Sequence, residues 1–188
     1  SFVFDISQTE SMSDKPIVKE DYFEELSDPF RAKGHVDKFE YGELLYNLKF
    51  CGVEHNLVHH FSNEVAAVIK VAHSEPMRKI VKWNREIPIR FYLDYLMTIN
   101  ESLSLESVFV AICHELGHLF CQHLEPPQKK GDPLWEVRQL SEQEKEFEAE
   151  TVAWLVTRRH GIKDSKSIEY LAGYLDKDGK IPSVDVSL

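Results

Sequence analysis

Cysteine is scarce: three in 188 residues, Cys51, Cys113 and Cys121, too few for a disulfide framework. On a helix Cys113 and Cys121 would stand about 12 Å apart along the axis, too far to bridge each other. That usage suits a reducing compartment, and both read as small buried packing residues. Long hydrophobic runs are missing too. No stretch approaches the roughly 18 apolar residues of a membrane span. The first residues, Ser1-Phe-Val-Phe-Asp-Ile-Ser, lack the basic start and apolar core of a secretory signal. A cytoplasmic protein without a membrane partner is expected. Positive charge is in deficit: 22 Lys and Arg against 32 Asp and Glu give a formal net charge of −10. Direct nucleic-acid binding would want a basic face and is not expected.

With 43% hydrophobic residues the chain is large enough to bury a core. The expected organisation is a flexible arm over 1–18 and one domain over 19–188, with no internal repeat. A short helix is expected over 19–26. Asp37 with Glu40 opens another, whose stripe of Tyr41, Leu44, Leu45 and Leu48 ends at Gly52. Extended segments are predicted over 65–72, 80–83, 87–93 and 96–99. A helix begins near Ser104, a second runs from Ser141 to Gly161, and Ile168, Leu171, Ala172 and Leu175 mark a short terminal one. The fold class is α+β, a small twisted, mostly antiparallel sheet packed on the helix after Ser104, with flanking helices.

That helix carries the most informative residues, His114-Glu115-Leu116-Gly117-His118. Around them Leu105, Val108, Phe109, Ile112, Leu116, Leu119 and Phe120 repeat at helical spacing, and Val110, Ala111 and Cys121 line the other side. Two histidines and a carboxylate in so apolar a helix need a partner, because an unpaired buried carboxylate is expensive. At i and i+4 two imidazoles can grip one metal ion, and the glutamate between them can reach a water on it. The implied cofactor is Zn²⁺, with Glu115 as general base. A third ligand is required. The metzincin spacing would put a histidine at Leu124, and His123 is out of phase by one residue, so the ligand must come from elsewhere.

The segment from Ser141 supplies it. Ser141 with Glu144 forms a capping box. Ala149, Val152, Ala153 and Val156 make the apolar face, and at 100° per residue Glu146 lies about 60° from Ala149, nearest that face among the acidic residues of the helix body. Glu150, one turn on, is placed to hold a ligating histidine through its other nitrogen. Glu142, Glu144 and Glu148 read as an ordinary solvated first turn.

His114-Glu-Leu-Gly-His118 followed by Glu146-Phe-Glu-Ala-Glu150-Thr-Val-Ala153 resembles the ImmA/IrrE family of zinc metallopeptidases, whose second motif is Glu-x-x-Ala-(Asn or Asp)-x-Phe-Ala. The likeness spans roughly residues 85–160 and departs from the family at Glu150 and at Val152. It implies a zincin fold with zinc on His114, His118 and Glu146, Glu115 as base, and a protein or peptide substrate such as a transcriptional regulator. In zincins an edge strand holds the substrate backbone, and residues 87–99 are the candidate for that wall. Tyr92 and Tyr95 are candidate oxyanion donors there, with ordinary sheet packing the preferred reading of each, and His59, His60, His160 and Tyr174 are no stronger. Two other functions fit the same residues: a regulatory binding module that keeps zinc as a pin without proteolysis, and a zinc hydrolase of a small amide or ester.

Overall fold

The computed structural model describes residues 32–59, 66–72, 77–83, 87–126 and 137–164, of which 77–83, 87–92 and 164 are described as backbone alone. The expected arm, the 19–26 helix and the terminal helix over 168–175 lie outside them. The described residues form an α+β fold in the order β1 (Ala32–Lys33), α1 (Lys38–Asn47), a 3₁₀ turn (Leu48–Cys51), β2 (Val53–Val58), β3 (Ala67–Val71), β4 (Met77–Trp83), β5 (Ile87–Leu93), β6 (Tyr95–Asn100), α2 (Leu105–Phe120), α3 (Glu142–Arg159) and β7 (Lys163–Asp164).

Local chemistry sets the helix ends. The Asp37 carboxylate accepts from the N–H of Phe39 and caps α1, and Gly52, at φ 75°, closes the following turn, a left-handed position that a side chain would resist. The Gly52 carbonyl then accepts from the N–H groups of Asp94 and Tyr95, which ties this turn to the entry of β6. Ser104 caps α2, and the Ser141–Glu144 capping box opens α3.

The sheet differs from the expected one. β6 is its central strand, paired in parallel with β2 and antiparallel with β3. The sheet is therefore mixed, while β4 and β5 form a separate antiparallel pair. β2 is not among the expected strands: Val53-Glu-His-Asn-Leu-Val58 shows no clean alternation, and its parallel partner is remote in sequence. The expected wall over 87–99 also needs correcting. Its second half, β6, is hydrogen-bonded on both sides and offers no edge, whereas β5, its first half, and β3 each have one side on which no described strand pairs.

Residues Tyr95, Met97 and Ile99 alternate onto one face of β6 and are buried with Val53, Ala67 and Ile69 against Val108, Ile112 and Leu119 of α2. The other side of α2 presents Phe109, Val110 and Cys113 to a second core containing Ala32, Val36, Ala153 and Ile162. Helix α2 thus lies between the sheet and α3. Its predicted apolar stripe stops early, since Phe120 is 62% exposed. On α3 Ala149 and Ala153 are fully buried as expected, but the buried face continues at Thr157, and Val156 is exposed. Thr157 can sit there because its hydroxyl donates to the carbonyl of Ala153 at 2.8 Å, so no polar group is stranded. The two helices meet backbone to backbone: a Cβ on Gly117 would lie 2.8 Å from Cα of Ala149. No described helix is long and apolar enough to cross a membrane.

Candidate metal centre

Helical periodicity places His114 and His118 one turn apart on α2, with ring centroids 4.9 Å apart and Nε2 atoms 3.1 Å apart. The close contact of Gly117 with Ala149 brings α3 near enough for Glu146 to reach both rings. Its Oε2 lies 3.3 Å from His114 Nε2 and its Oε1 3.5 Å from His118 Nε2. These three residues form a group that could hold a metal ion. Ligands bound at 2.0–2.1 Å around a tetrahedral centre are separated by about 3.3–3.4 Å; the two imidazole nitrogens stand 3.1 Å apart, and Glu146 meets each of them with a different carboxylate oxygen.

The helix turn that carries Glu146 also carries Glu150, whose Oε2 lies 3.0 Å from His114 Nδ1. Glu150 is the more enclosed of the two, its side chain 13% exposed against 41% for Glu146. A glutamate on the far nitrogen orients the imidazole and raises its basicity as a ligand.

Glu115 faces the sheet. Ala72 donates to the carbonyl of Asp94 and Asn100 to that of Ala66, so the even-numbered positions of β3 bond to β6 and the odd-numbered ones point to the edge on which no described strand pairs. The N–H of Ile69, on that edge, donates to Glu115 Oε2 at 2.8 Å. The putting together of HExxH helix and edge strand thus runs through the glutamate itself.

Within the cluster, histidines and carboxylates shift one another. Burial opposes a charge on His114, but the hydrogen bonds to Glu146 and Glu150 outweigh it and raise its pKa to about 10. Burial and then the charge on His114 lower His118 to about 4. The hydrogen bond from His114 holds Glu146 below the usual carboxylate range, and burial pushes Glu115 up to about 7. Carboxylates on both sides of His114 favour positive charge there, and His114, His118 and Glu146 together could hold a metal ion.

Four residues beside the site have roles that the sequence does not foretell. Gln122 adopts φ 61°, which turns the chain back after α2, and the N–H of His123 donates to the carbonyl of His118 at 3.0 Å. The residue out of phase for a metal ligand is thereby folded under His118, with the two Nδ1 atoms 3.0 Å apart. His123 Nε2 in turn lies 2.8 Å from Oε2 of Glu148. Glu148, expected to be solvated, is only 7% exposed, and Arg138 grips its carboxylate through NH1 to Oε2 and NH2 to Oε1, at 2.6 and 2.8 Å. The visible signal was that Glu148 falls on the opposite shoulder of α3 from Glu150. What it meets there depends on a turn and a loop that periodicity does not reveal.

The remaining histidines and tyrosines are placed elsewhere. His59 pairs with Glu101 at 2.9 Å, and His160 packs edge-on against Phe109. Tyr95 is a core residue whose hydroxyl donates to the carbonyl of Glu125. Its burial pushes the hydroxyl pKa up to about 12. His60 and Tyr174 lie outside the described residues, as does the side chain of Tyr92. Cys51, Cys113 and Cys121 are free thiols. No family model matches the chain, and no curated protein or solved structure shows significant similarity to it.

Proposed function

We propose that the protein is a zinc-dependent peptidase of zincin type that cleaves a protein partner in the cytoplasm, akin to the ImmA/IrrE peptidases it resembles. The observation that carries this reading is the convergence of His114 Nε2, His118 Nε2 and the Glu146 carboxylate, with a further carboxylate, Glu115, adjoining them on α2. These three residues would hold the ion. When bound, zinc supplies Lewis acidity, polarising a carbonyl oxygen and acidifying water.

The chain's own residues do the rest. Glu150 holds His114 through Nδ1. Glu115 Oε2 is engaged by the Ile69 N–H, which fixes the carboxylate and leaves Oε1 to take a proton from the attacking water. Glu115 then returns that proton to the departing amine nitrogen. The free edge of β3 beside it offers backbone groups to an extended chain, which favours peptides over small amides.

One observation favours a second reading. The bond from Ile69 to Glu115 would tie helix to strand even in a binding module that kept zinc as a pin. Cleavage of a mixture of unfolded peptides, followed by mass spectrometry, separates the two. Zinc-loaded protein is expected to cut, to stop when a chelator strips the metal, and to resume when zinc is restored. A fully loaded protein that cuts nothing would favour the pin.

A further inference from the structure

We infer that His123, Glu148 and Arg138 form a positioning chain that locks His118 in the tautomer presenting a bare Nε2 to the metal site. The inference rests on the metal-site reading above, but it follows from hydrogen-bond accounting that starts at the other end of the chain.

Both carboxylate oxygens of Glu148 accept from the guanidinium of Arg138, so this carboxylate is ionised and can only accept. The His123 Nε2 that lies 2.8 Å from it must therefore carry a hydrogen. Two ring nitrogens 3.0 Å apart, His123 Nδ1 and His118 Nδ1, need one hydrogen between them. Arg138 already balances Glu148, and the side chain of His123 is 1% exposed, where an uncompensated second cation would be costly. His123 is thus the neutral Nε2–H tautomer with a bare Nδ1. The shared hydrogen then belongs to His118 Nδ1, and the lone pair of His118 Nε2 is left facing His114 and Glu146.

Main-chain contacts reinforce the lock. His118 is held through its carbonyl by the N–H of His123 as well as through its ring, and Arg138 also donates to the carbonyl of Cys121 at the end of α2. The two metal-facing histidines are therefore supported in different ways. His114 meets a carboxylate directly, whereas His118 reaches one only through a neutral imidazole, and that carboxylate is already neutralised. The same chemistry decides what the Cys121, His123 and Glu148 group is. It has the composition of a second metal cluster, yet the guanidinium occupies both oxygens of Glu148 and serves as its cation.

The test uses the full chain, with Zn²⁺ as the only added ligand. Long-range ¹⁵N–¹H spectra of the imidazoles of the metal-free protein should show His118 as the Nδ1–H tautomer. An Nε2–H tautomer there overturns the proposal without recourse to any variant. Zinc Kd, measured by competition with a chelator, should weaken ~10–100-fold in His123→Phe and in Arg138→Met, with Arg138→Lys recovering part of the loss and the His118 tautomer mixture changing in step. Folded variants that keep both the tautomer and the wild-type Kd contradict the chain. A wild-type protein with the Nδ1–H tautomer that takes up no zinc supports the chain and overturns the metal-site reading instead.

Discussion

Replacing Glu115 with glutamine is expected to leave zinc uptake unchanged and to slow peptide hydrolysis by ~10²–10⁴-fold, the range that a lost general base commands. Glutamine has the same shape, and its amide oxygen can still accept from the N–H of Ile69, the bond that fixes the native carboxylate at 2.8 Å. The metal-facing atoms on His114, His118 and Glu146 are untouched. What disappears is the carboxylate proposed to accept the proton from water. Stability should hold or rise, because burial already disfavours the ionised carboxylate, pushing it up to about 7. Metal content, melting temperature and turnover of a peptide mixture check the three parts together. Normal turnover would remove Glu115 from the chemistry and leave it as a tie between α2 and β3.

Gly117→Ala sets two effects against each other. Within a helix, alanine is better than glycine by about 1 kcal/mol. Packing opposes it. The new Cβ would lie 2.8 Å from Cα and 2.9 Å from the carbonyl oxygen of Ala149, and backbone atoms cannot turn aside as a flexible side chain can. Overpacking costs typically 1–3 kcal/mol and sometimes more, and contact with fixed backbone belongs at the upper end. A net loss of about 2 kcal/mol is expected, which in a chain of this length lowers Tm by about 5 °C. The damage should reach the site as well. Relief of the clash moves α3 away from α2, and Glu146 rides on α3 one turn before Ala149, so zinc affinity should fall with stability. A raised Tm would show that helix propensity wins and that the helices do not touch at this point.

Features written in local sequence were legible. Asp37, Ser104 and the Ser141–Glu144 pair cap helices where their side chains promised to, because capping is settled within a few residues. The nearness of Glu146 to the histidine pair was readable from the i, i+4 spacing on one helix and the wheel of the other, and so was a histidine held by Glu150, which proves to be His114. What escaped depends on chain reversal or on remote pairing. Strand β2 is made a strand by β6, some forty residues on, and its own residues do not alternate. Central β6 and edge β3 could not be told apart, since both show the same apolar run and only pairing distinguishes them. His123 reaches His118 through a positive φ at Gln122, a conformation uncommon outside glycine. Glu148 is buried because Arg138 arrives from an irregular segment to neutralise it. Val156, expected on the buried face, is exposed, and Thr157 is buried beside it because a threonine can satisfy its hydroxyl on its own helix.

The central claim is that α2 and α3 jointly build one open zinc site. Its most direct test is the position of zinc in crystals grown with one equivalent of Zn²⁺, located by anomalous scattering. One peak is expected, bounded by His114 Nε2, His118 Nε2 and the carboxylate of Glu146, with no fourth protein ligand. Zinc on Glu150 in place of Glu146, zinc among Cys121, His123 and Glu148, a fourth protein ligand, or no zinc at all would contradict it.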